Sequence, residues 1–174
     1  MTRLFSSLNP QEALHAAIFI EERNAGIYQS YAEMFSEFGD PESLEIGNVF
    51  WDMSVEEKRH SSQLQAKYRE RYGDTTCPLT EEDLRELIEV PKLEGSDIFE
   101  AVESVLAGPR QKALRVALDA EKSAQEFYAQ LVNCTDDDAL RRLYIELSTM
   151  EDGHVTYILS VLATSAVSGI KDVH

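Results

Sequence analysis

Residues 150–159 read MEDGHVTYIL and place a carboxylate and an imidazole inside the apolar stripe of a predicted helix. Helical spacing on both sides predicts that this stripe faces a core. Its residues are Leu140, Leu143, Tyr144, Leu147, Ser148, Glu151, His154, Val155, Ile158, Val161 and Leu162. An unpaired buried charge costs several kcal/mol or is neutralised. Other parts of the chain must therefore supply groups that compensate Glu151 and His154.

The same Glu-x-x-His motif occurs a second time. Residues 53–64, MSVEEKRHSSQL, align with residues 147–158, LSTMEDGHVTYI. The alignment matches Glu57 with Glu151 and His60 with His154. Two motifs in matched segments are a stronger signal than one Glu-x-x-His pair, which is also a common pattern for a surface ion pair.

The helices before these motifs are also similar to each other. Residues 19–28, FIEERNAGIY, align with residues 119–128, DAEKSAQEFY, so that Glu21 matches Glu121 and Tyr28 matches Tyr128. Both glutamates lie on the apolar stripes of their helices, whereas Glu22 and Glu56 share faces with polar residues and are predicted to face solvent. The sequence therefore predicts two similar helical hairpins.

Capping signals set the bounds of four long predicted helices. The first runs from Asn9 and Pro10 to Phe38, before Gly39; the second runs from Ser43 to Tyr72. The third runs from Pro109 to about Val132, and Thr135 caps the fourth.

A connecting region of about residues 73–108 separates the two predicted hairpins. It contains two predicted short helices, over residues 80–89 and 96–107. The sequence has no strand signal. We therefore expect an all-α four-helix bundle, with residues 1–174 forming a single domain.

The two hairpins together supply the donors of a carboxylate-bridged dimetal site. Such a site takes one Glu from each of two helices and a Glu-x-x-His pair from each of two others. Two divalent cations would balance the four negative charges. The predicted metal ligands are Glu21, Glu57, His60, Glu121, Glu151 and His154. For Tyr28 and Tyr128, the sequence leaves open a hydrogen bond to a ligand carboxylate or core packing.

The composition argues against several classes of partner. The chain has 16 Lys and Arg against 32 Asp and Glu, with a net charge of -16, so we expect neither nucleic acid nor an anionic membrane as partner. Cys77 and Cys134 form no CxxC pair, which argues against a zinc ribbon or a rubredoxin-type iron centre.

The sequence also bears on location. The N-terminus has no secretion-signal pattern, so a cytoplasmic protein is expected. Residues 155–170 are apolar but interrupted by polar residues and too short for a membrane span, so we expect a buried helix end.

At these motifs the sequence resembles the ferritin-like superfamily, and within it the rubrerythrin group. The segments RLFSSLNPQEAL, IEERNAGIYQSYAE, EEKRHSSQL and KYRERYGD are similar to the N-terminal erythrin domain of the erythrin and vacuolar-iron-transporter family. The resemblance implies a diiron four-helix bundle that acts in iron handling and oxidative stress, with the six ligands given above. Ala124 stands where rubrerythrins often carry a further ligand glutamate.

The ligand types favour a redox function. Oxygen and imidazole donors suit iron and manganese. We expect a non-haem diiron peroxidase or ferroxidase that oxidises Fe(II) with O2 or hydrogen peroxide, or reduces hydrogen peroxide with electrons from an external donor. The alternatives are a manganese catalase-like or oxygenase site, and an iron-binding or iron-sensing module without turnover.

The apolar residues also suggest assembly. Tyr31, Phe35, Trp51 and the apolar end of the fourth helix exceed what one four-helix core needs. The sequence therefore predicts a homodimer, with helix exchange through the long connection at residues 73–95 as one way to form it.

Overall fold

Four long helices form the computed structural model, which describes residues 8–77, 79–80, 82–84 and 108–168. No strand occurs among these residues, and the all-α prediction is confirmed. The helices are α1 (Pro10–Phe38), α2 (Pro41–Tyr72), α3 (Pro109–Cys134) and α4 (Asp138–Ser168). Of the two short helices predicted in the connecting region, residues 82–84 are helical after Thr80, and residues 96–107 lie outside the described residues.

Side-chain caps fix the starts of α1 and α2. Asn9 accepts hydrogen bonds from the backbone N–H groups of Gln11 and Glu12, and Glu12 accepts one from the backbone of Asn9, which completes a capping box. Asp40 caps α2 by accepting from the Ser43 backbone N–H at 3.0 Å. The predicted start at Ser43 is wrong by two residues, because Pro41 occupies the first helical position after this cap.

The cap of α4 also differs from the prediction. Asp137, and not Thr135, accepts hydrogen bonds from the backbone N–H groups of Ala139 and Leu140, both at 2.9 Å. Thr135 lies instead at the end of α3, where its backbone N–H donates to Leu131 at 3.0 Å. With three consecutive aspartates available, the carboxylate nearest the first turn takes the cap.

The helices pair as two antiparallel hairpins, α1 with α2 and α3 with α4, and α1 also contacts α3. Gly39 ends α1 in the left-handed conformation, at φ 71°, and allows the short reversal into α2. Gly47 lies where the two helices approach closely, since a Cβ there would be 3.3 Å from the Ala32 carbonyl oxygen and the Ser36 hydroxyl.

The core consists of two apolar clusters with a polar layer between them. One cluster contains Leu14, Leu64, Phe127, Tyr144 and Leu147. The other contains Phe35, Phe50, Met53, Leu114 and Ile158. On each helix, the predicted ligand positions fall between the residues of one cluster and those of the other. The layer of six polar side chains therefore lies between an apolar cluster on one side and an apolar cluster on the other.

The structure corrects two expectations about apolar surface. Tyr31 and Phe35 are buried and pack on Phe50, with ring centroids 5.0 and 6.0 Å away, so they leave no surface for a second chain. Residues 156–164 of α4 are largely exposed, since Ile158 is buried but Tyr157 and Leu159 are not, and the burial of residues 165–170 lies outside what the structure describes. No helix among the described residues is both long and apolar enough to cross a membrane.

The Asp137 cap makes stability depend on pH. Backbone hydrogen bonds from Leu140 and an ion pair with Arg71 hold the pKa of Asp137 below its ordinary value of 3.8. A lowered folded-state pKa gives stability that is present above the unfolded pKa and lost as pH falls through the folded pKa. For Asp137→Asn, which keeps a capping oxygen, we expect lower stability than the wild type at pH 6 and a smaller difference below about pH 4. Urea unfolding at several pH values measures this difference.

The matched control is Asp136→Asn, which removes the same charge from the neighbouring residue. It is expected to show a smaller effect at every pH. An equal effect of both variants would mean that net charge, and not the cap and its Arg71 partner, sets the acid response.

Candidate metal centre

Each helix contributes polar side chains to the layer between the two apolar clusters. Spacing of three residues puts the Glu and His of one motif on the same face of their helix, one turn apart. All four glutamates are 0% exposed, and the histidines are almost fully buried. Helix α1 supplies Glu21, α2 supplies Glu57 and His60, α3 supplies Glu121, and α4 supplies Glu151 and His154. The structure thus brings all six predicted site residues together.

One group of donors surrounds His60. Its Nδ1 lies 3.3 Å from Glu21 Oε2, 3.6 Å from Glu57 Oε2 and 3.8 Å from Glu151 Oε1. One donor atom from each of these four residues lies within 4.8 Å of the others. Four nitrogen and oxygen donors at this spacing can surround one metal ion.

A second group surrounds His154. Its Nδ1 lies 3.1 Å from Glu57 Oε1, 3.1 Å from Glu121 Oε2 and 3.5 Å from Glu151 Oε2. These four residues also offer donor atoms within 4.8 Å of one another. Burial alone would lower the pKa of His154, but the surrounding carboxylates raise it well above its usual value.

The two groups share Glu57 and Glu151. Each of these glutamates directs one oxygen towards His60 and the other towards His154. Each could therefore bridge two cations, while Glu21 and Glu121 each belong to one group alone. The His60 and His154 ring centroids are 5.9 Å apart.

The shared carboxylates lack ordinary hydrogen-bond partners. Both oxygens of Glu57 and both oxygens of Glu151 are buried without a hydrogen bond. His154 Nδ1 lies 3.1 Å from Glu57 Oε1 and 3.5 Å from Glu151 Oε2, but it hydrogen-bonds Glu121 instead. Burial raises the pKa of both carboxyls well above the ordinary value, because a charged carboxylate is unfavourable away from water. Four buried carboxylates with four orphaned oxygens suit a pair of cations.

Two tyrosines connect the hairpins through the remaining carboxylates. Tyr28 of α1 donates its hydroxyl to Glu121 of α3, and Tyr128 of α3 donates to Glu21 of α1. Burial raises the pKa of both hydroxyls, so both keep the proton that they donate. Burial alone would raise the pKa of Glu121, but its contacts with Glu151, His154 and the Tyr28 hydroxyl lower it. Each tyrosine bond therefore joins α1 to α3. The sequence shows where each tyrosine lies on its own helix, but it does not show which glutamate of the other hairpin the tyrosine contacts.

Sequence reasoning missed one residue at the edge of the site. Glu56 was predicted to face solvent, and its side chain is 51% exposed, but its Oε2 lies 2.7 Å from His154 Nε2. Glu22, the other glutamate predicted to face solvent, bonds Gln65 on the exposed face. A helix-face assignment cannot detect the Glu56 contact, because it depends on how α2 lies against α4.

The fold and the buried Glu/His groups define the class: this is a ferritin-like helical bundle whose core fits a metal site. The Rubrerythrin family model matches residues 12–162, and the chain belongs to the rubrerythrin family. An uncharacterised conserved protein from Magnetospirillum magnetotacticum MS-1 has the same fold, with 24% identity and a TM-score of 0.70. The similarity covers 90% of this chain and 95% of that one. A search of curated proteins finds no match.

The donor geometry predicts the metal content of the chain. Protein produced with iron is expected to carry about two metal ions per chain. Glu57→Ala and Glu151→Ala each remove a donor shared by both groups, so both variants are expected to lose metal. Elemental analysis of the purified and reconstituted proteins measures the content.

Glu22→Ala is the matched control, since it removes a glutamate next to Glu21 that lies outside both groups. It is expected to keep the wild-type metal content. A wild-type chain that takes up no transition metal, or equal loss from all three variants, would contradict the assignment of the donors.

Proposed function

We propose that the chain is a non-haem diiron oxidoreductase that reduces hydrogen peroxide or oxidises Fe(II). The observation that carries this proposal is the pair of overlapping donor groups that share Glu57 and Glu151. A shared pair of carboxylates would hold two metal ions close enough to act together in a two-electron reaction. The rubrerythrin family of the chain favours iron as the metal; manganese is the alternative that the same donors would accept.

The protein residues have distinct roles in this proposal. Glu57 and Glu151 belong to both donor groups and would hold both metal ions, and each histidine and each remaining glutamate would complete one of the two positions. Tyr28 and Tyr128 orient Glu121 and Glu21 and leave their other oxygens for the metal. The apolar clusters at both ends of the polar layer limit the access of water. Two Fe(II) ions at these positions would supply the two electrons that, with two protons, convert hydrogen peroxide to two water molecules.

Sustained turnover requires a source of electrons. The two cysteines, Cys77 and Cys134, are both free, and neither is placed to form a second iron centre of the rubredoxin type. We therefore propose an external electron donor for the peroxidase reaction. In the ferroxidase reaction Fe(II) is itself the substrate and supplies the electrons. A cytoplasmic location suits both reactions, because reduced iron and reduced donors are available there.

We further propose that the chain forms a homodimer through the exposed apolar residues of α2. Leu44, Trp51 and Val55 lie at helical spacing on one face and are each at least 43% exposed. Exposed apolar side chains that recur along one face favour contact with another apolar surface. Tyr157 and Leu159 of α4 offer further exposed apolar area.

The oxidant preference tests the proposed chemistry. Two adjacent Fe(II) ions match the two-electron reduction of peroxide, whereas reduction of O2 to water takes four electrons. The reduced diiron protein is therefore expected to be oxidised faster by hydrogen peroxide than by O2. Stopped-flow absorption after mixing with each oxidant at equal concentration measures both rates. A single oxidation should be fast, and repeated turnover should be slow until an electron donor is added.

The other outcomes distinguish the alternatives. Oxidation by O2 that equals or exceeds the rate with peroxide would favour a ferroxidase or oxygenase. Peroxide breakdown by manganese-loaded protein without a donor would favour a catalase. Iron binding with no reaction towards either oxidant would favour an iron-binding or iron-sensing module.

The mass in solution tests the homodimer. Analytical ultracentrifugation at high protein concentration is expected to give twice the chain mass of 19.7 kDa. Trp51→Glu places a charge in the exposed apolar face and is expected to shift the protein towards the monomer. A wild-type chain that stays monomeric at the highest concentration would contradict the proposed dimer.

A further inference from the structure

The carboxylate of Glu56 contacts His154 at Nε2, the ring nitrogen that does not face the buried carboxylates of the candidate metal centre. Glu56 Oε2 lies 2.7 Å from His154 Nε2, while Nδ1 of the same ring faces Glu57, Glu121 and Glu151. The contact runs from α2 to α4 and joins the two hairpins. A ring held by carboxylates at both nitrogens has a fixed orientation.

The repeat offers no equivalent of this contact at the other histidine. In the alignment of the two motifs, Met150 occupies the position that corresponds to Glu56. Methionine has no carboxylate with which to accept a proton from the His60 ring. Among the residues that the structure describes, the carboxylates paired with His60 all face its Nδ1. The two halves of the site are therefore alike in their six donors and unlike at this position.

Carboxylates that accept the outer proton of a metal-binding histidine have a known physical effect. They fix the tautomer, hold the ring plane and increase the electron density on the nitrogen that faces the metal. The hydrogen bond is charge-assisted and hence stronger than one between neutral groups. Because Glu56 is half exposed, its substitution is not expected to disturb the core.

We propose that Glu56 is a positioning residue for His154 and that it makes the two metal positions unequal, with the ion beside His154 bound more tightly. Glu56 accepts the Nε2 proton and keeps Nδ1 directed at the shared carboxylates. This inference rests on the proposed dimetal site. It concerns metal affinity and ring orientation, and does not depend on whether the protein turns over peroxide or Fe(II).

Titration with Co²⁺ under anaerobic conditions tests the inference without redox chemistry. The wild type is expected to bind two ions with different affinities, followed by visible absorption. Glu56→Ala is expected to weaken the tighter of the two affinities, that of the ion beside His154, about 10- to 100-fold. The other affinity is expected to stay unchanged. The Co²⁺ affinity of Glu56→Gln is expected to lie between those of the wild type and of Glu56→Ala, because the glutamine amide oxygen still accepts a hydrogen bond from His154 Nε2.

Asp52→Asn is the matched control. Asp52 lies one turn before Glu56 on the same exposed face, and this substitution removes the same negative charge. It is expected to bind Co²⁺ as the wild type does. Thermal unfolding of the metal-free proteins should give similar midpoints for all variants, which checks that each one is folded.

Proton NMR of the Co²⁺-loaded protein gives a readout that a purely structural role would not change. Bound Co²⁺ shifts the ring N–H signals of its histidine ligands away from the other protons. The signal of the His154 Nε2 proton is expected to exchange with water faster in Glu56→Ala than in the wild type. The corresponding His60 signal is expected to stay unchanged.

Three results would overturn the inference. Glu56→Ala with the Co²⁺ affinities of Asp52→Asn would show that Glu56 has no specific role. Equal weakening of both ions would show that Glu56 does not act through His154. A wild-type chain that binds no Co²⁺ would overturn the metal site itself, and the proposed function with it, so the two failures are distinguishable.

Discussion

The burial of four carboxylates in the middle of a helical bundle is the constraint on which the rest of the structure depends. Glu21, Glu57, Glu121 and Glu151 are all fully enclosed between two apolar clusters. Burying charges without compensation costs more than most proteins can tolerate, since their net stability is only about 5–15 kcal/mol. The chain itself compensates this charge in part, through two tyrosine hydroxyls and two histidines. The oxygens of Glu57 and Glu151 have no hydrogen-bond partner, and two bound cations would compensate the negative charge that remains.

This compensation links the two hairpins to each other. Neither hairpin has a complete donor group of its own, because each group takes residues from both hairpins. The tyrosine bonds cross in the same way, from α1 to α3 and from α3 to α1. Metal binding and docking of the hairpins are therefore expected to be coupled, as they are wherever a site exists only in the assembled fold. In an isolated hairpin the carboxylates and the apolar stripe would lack their partners from the other hairpin. Both would then be exposed to water.

Helical periodicity explains why so much of this arrangement could be predicted from the sequence. A Glu or His within an apolar stripe must face the core, and the match between the two halves of the chain identified which polar residues share that core. The helix starts were harder to predict. Asp40 and Asp137 compete with nearby Ser43 and Thr135 for the same role, and the choice depends on backbone geometry at the turn. The contact of Glu56 with His154 could not be predicted. It depends on how α2 packs against α4, and the sequence of one helix does not determine that packing.

The two halves match where the metal would be bound and differ elsewhere. Asn24 and Ala124 occupy matched positions one turn after Glu21 and Glu121, and both are buried, but only Asn24 brings polar atoms. Its side-chain oxygen accepts from Arg23, which has no match in the other hairpin because Ser123 stands there. Glu56 and Met150 differ in the same manner on the second helix of each hairpin. Each difference lies beside one donor group and outside the six donors. The identity of the ligands and the fine adjustment of each position are therefore carried by different residues, so one position can change in affinity or reactivity while the charge balance of the whole site stays the same.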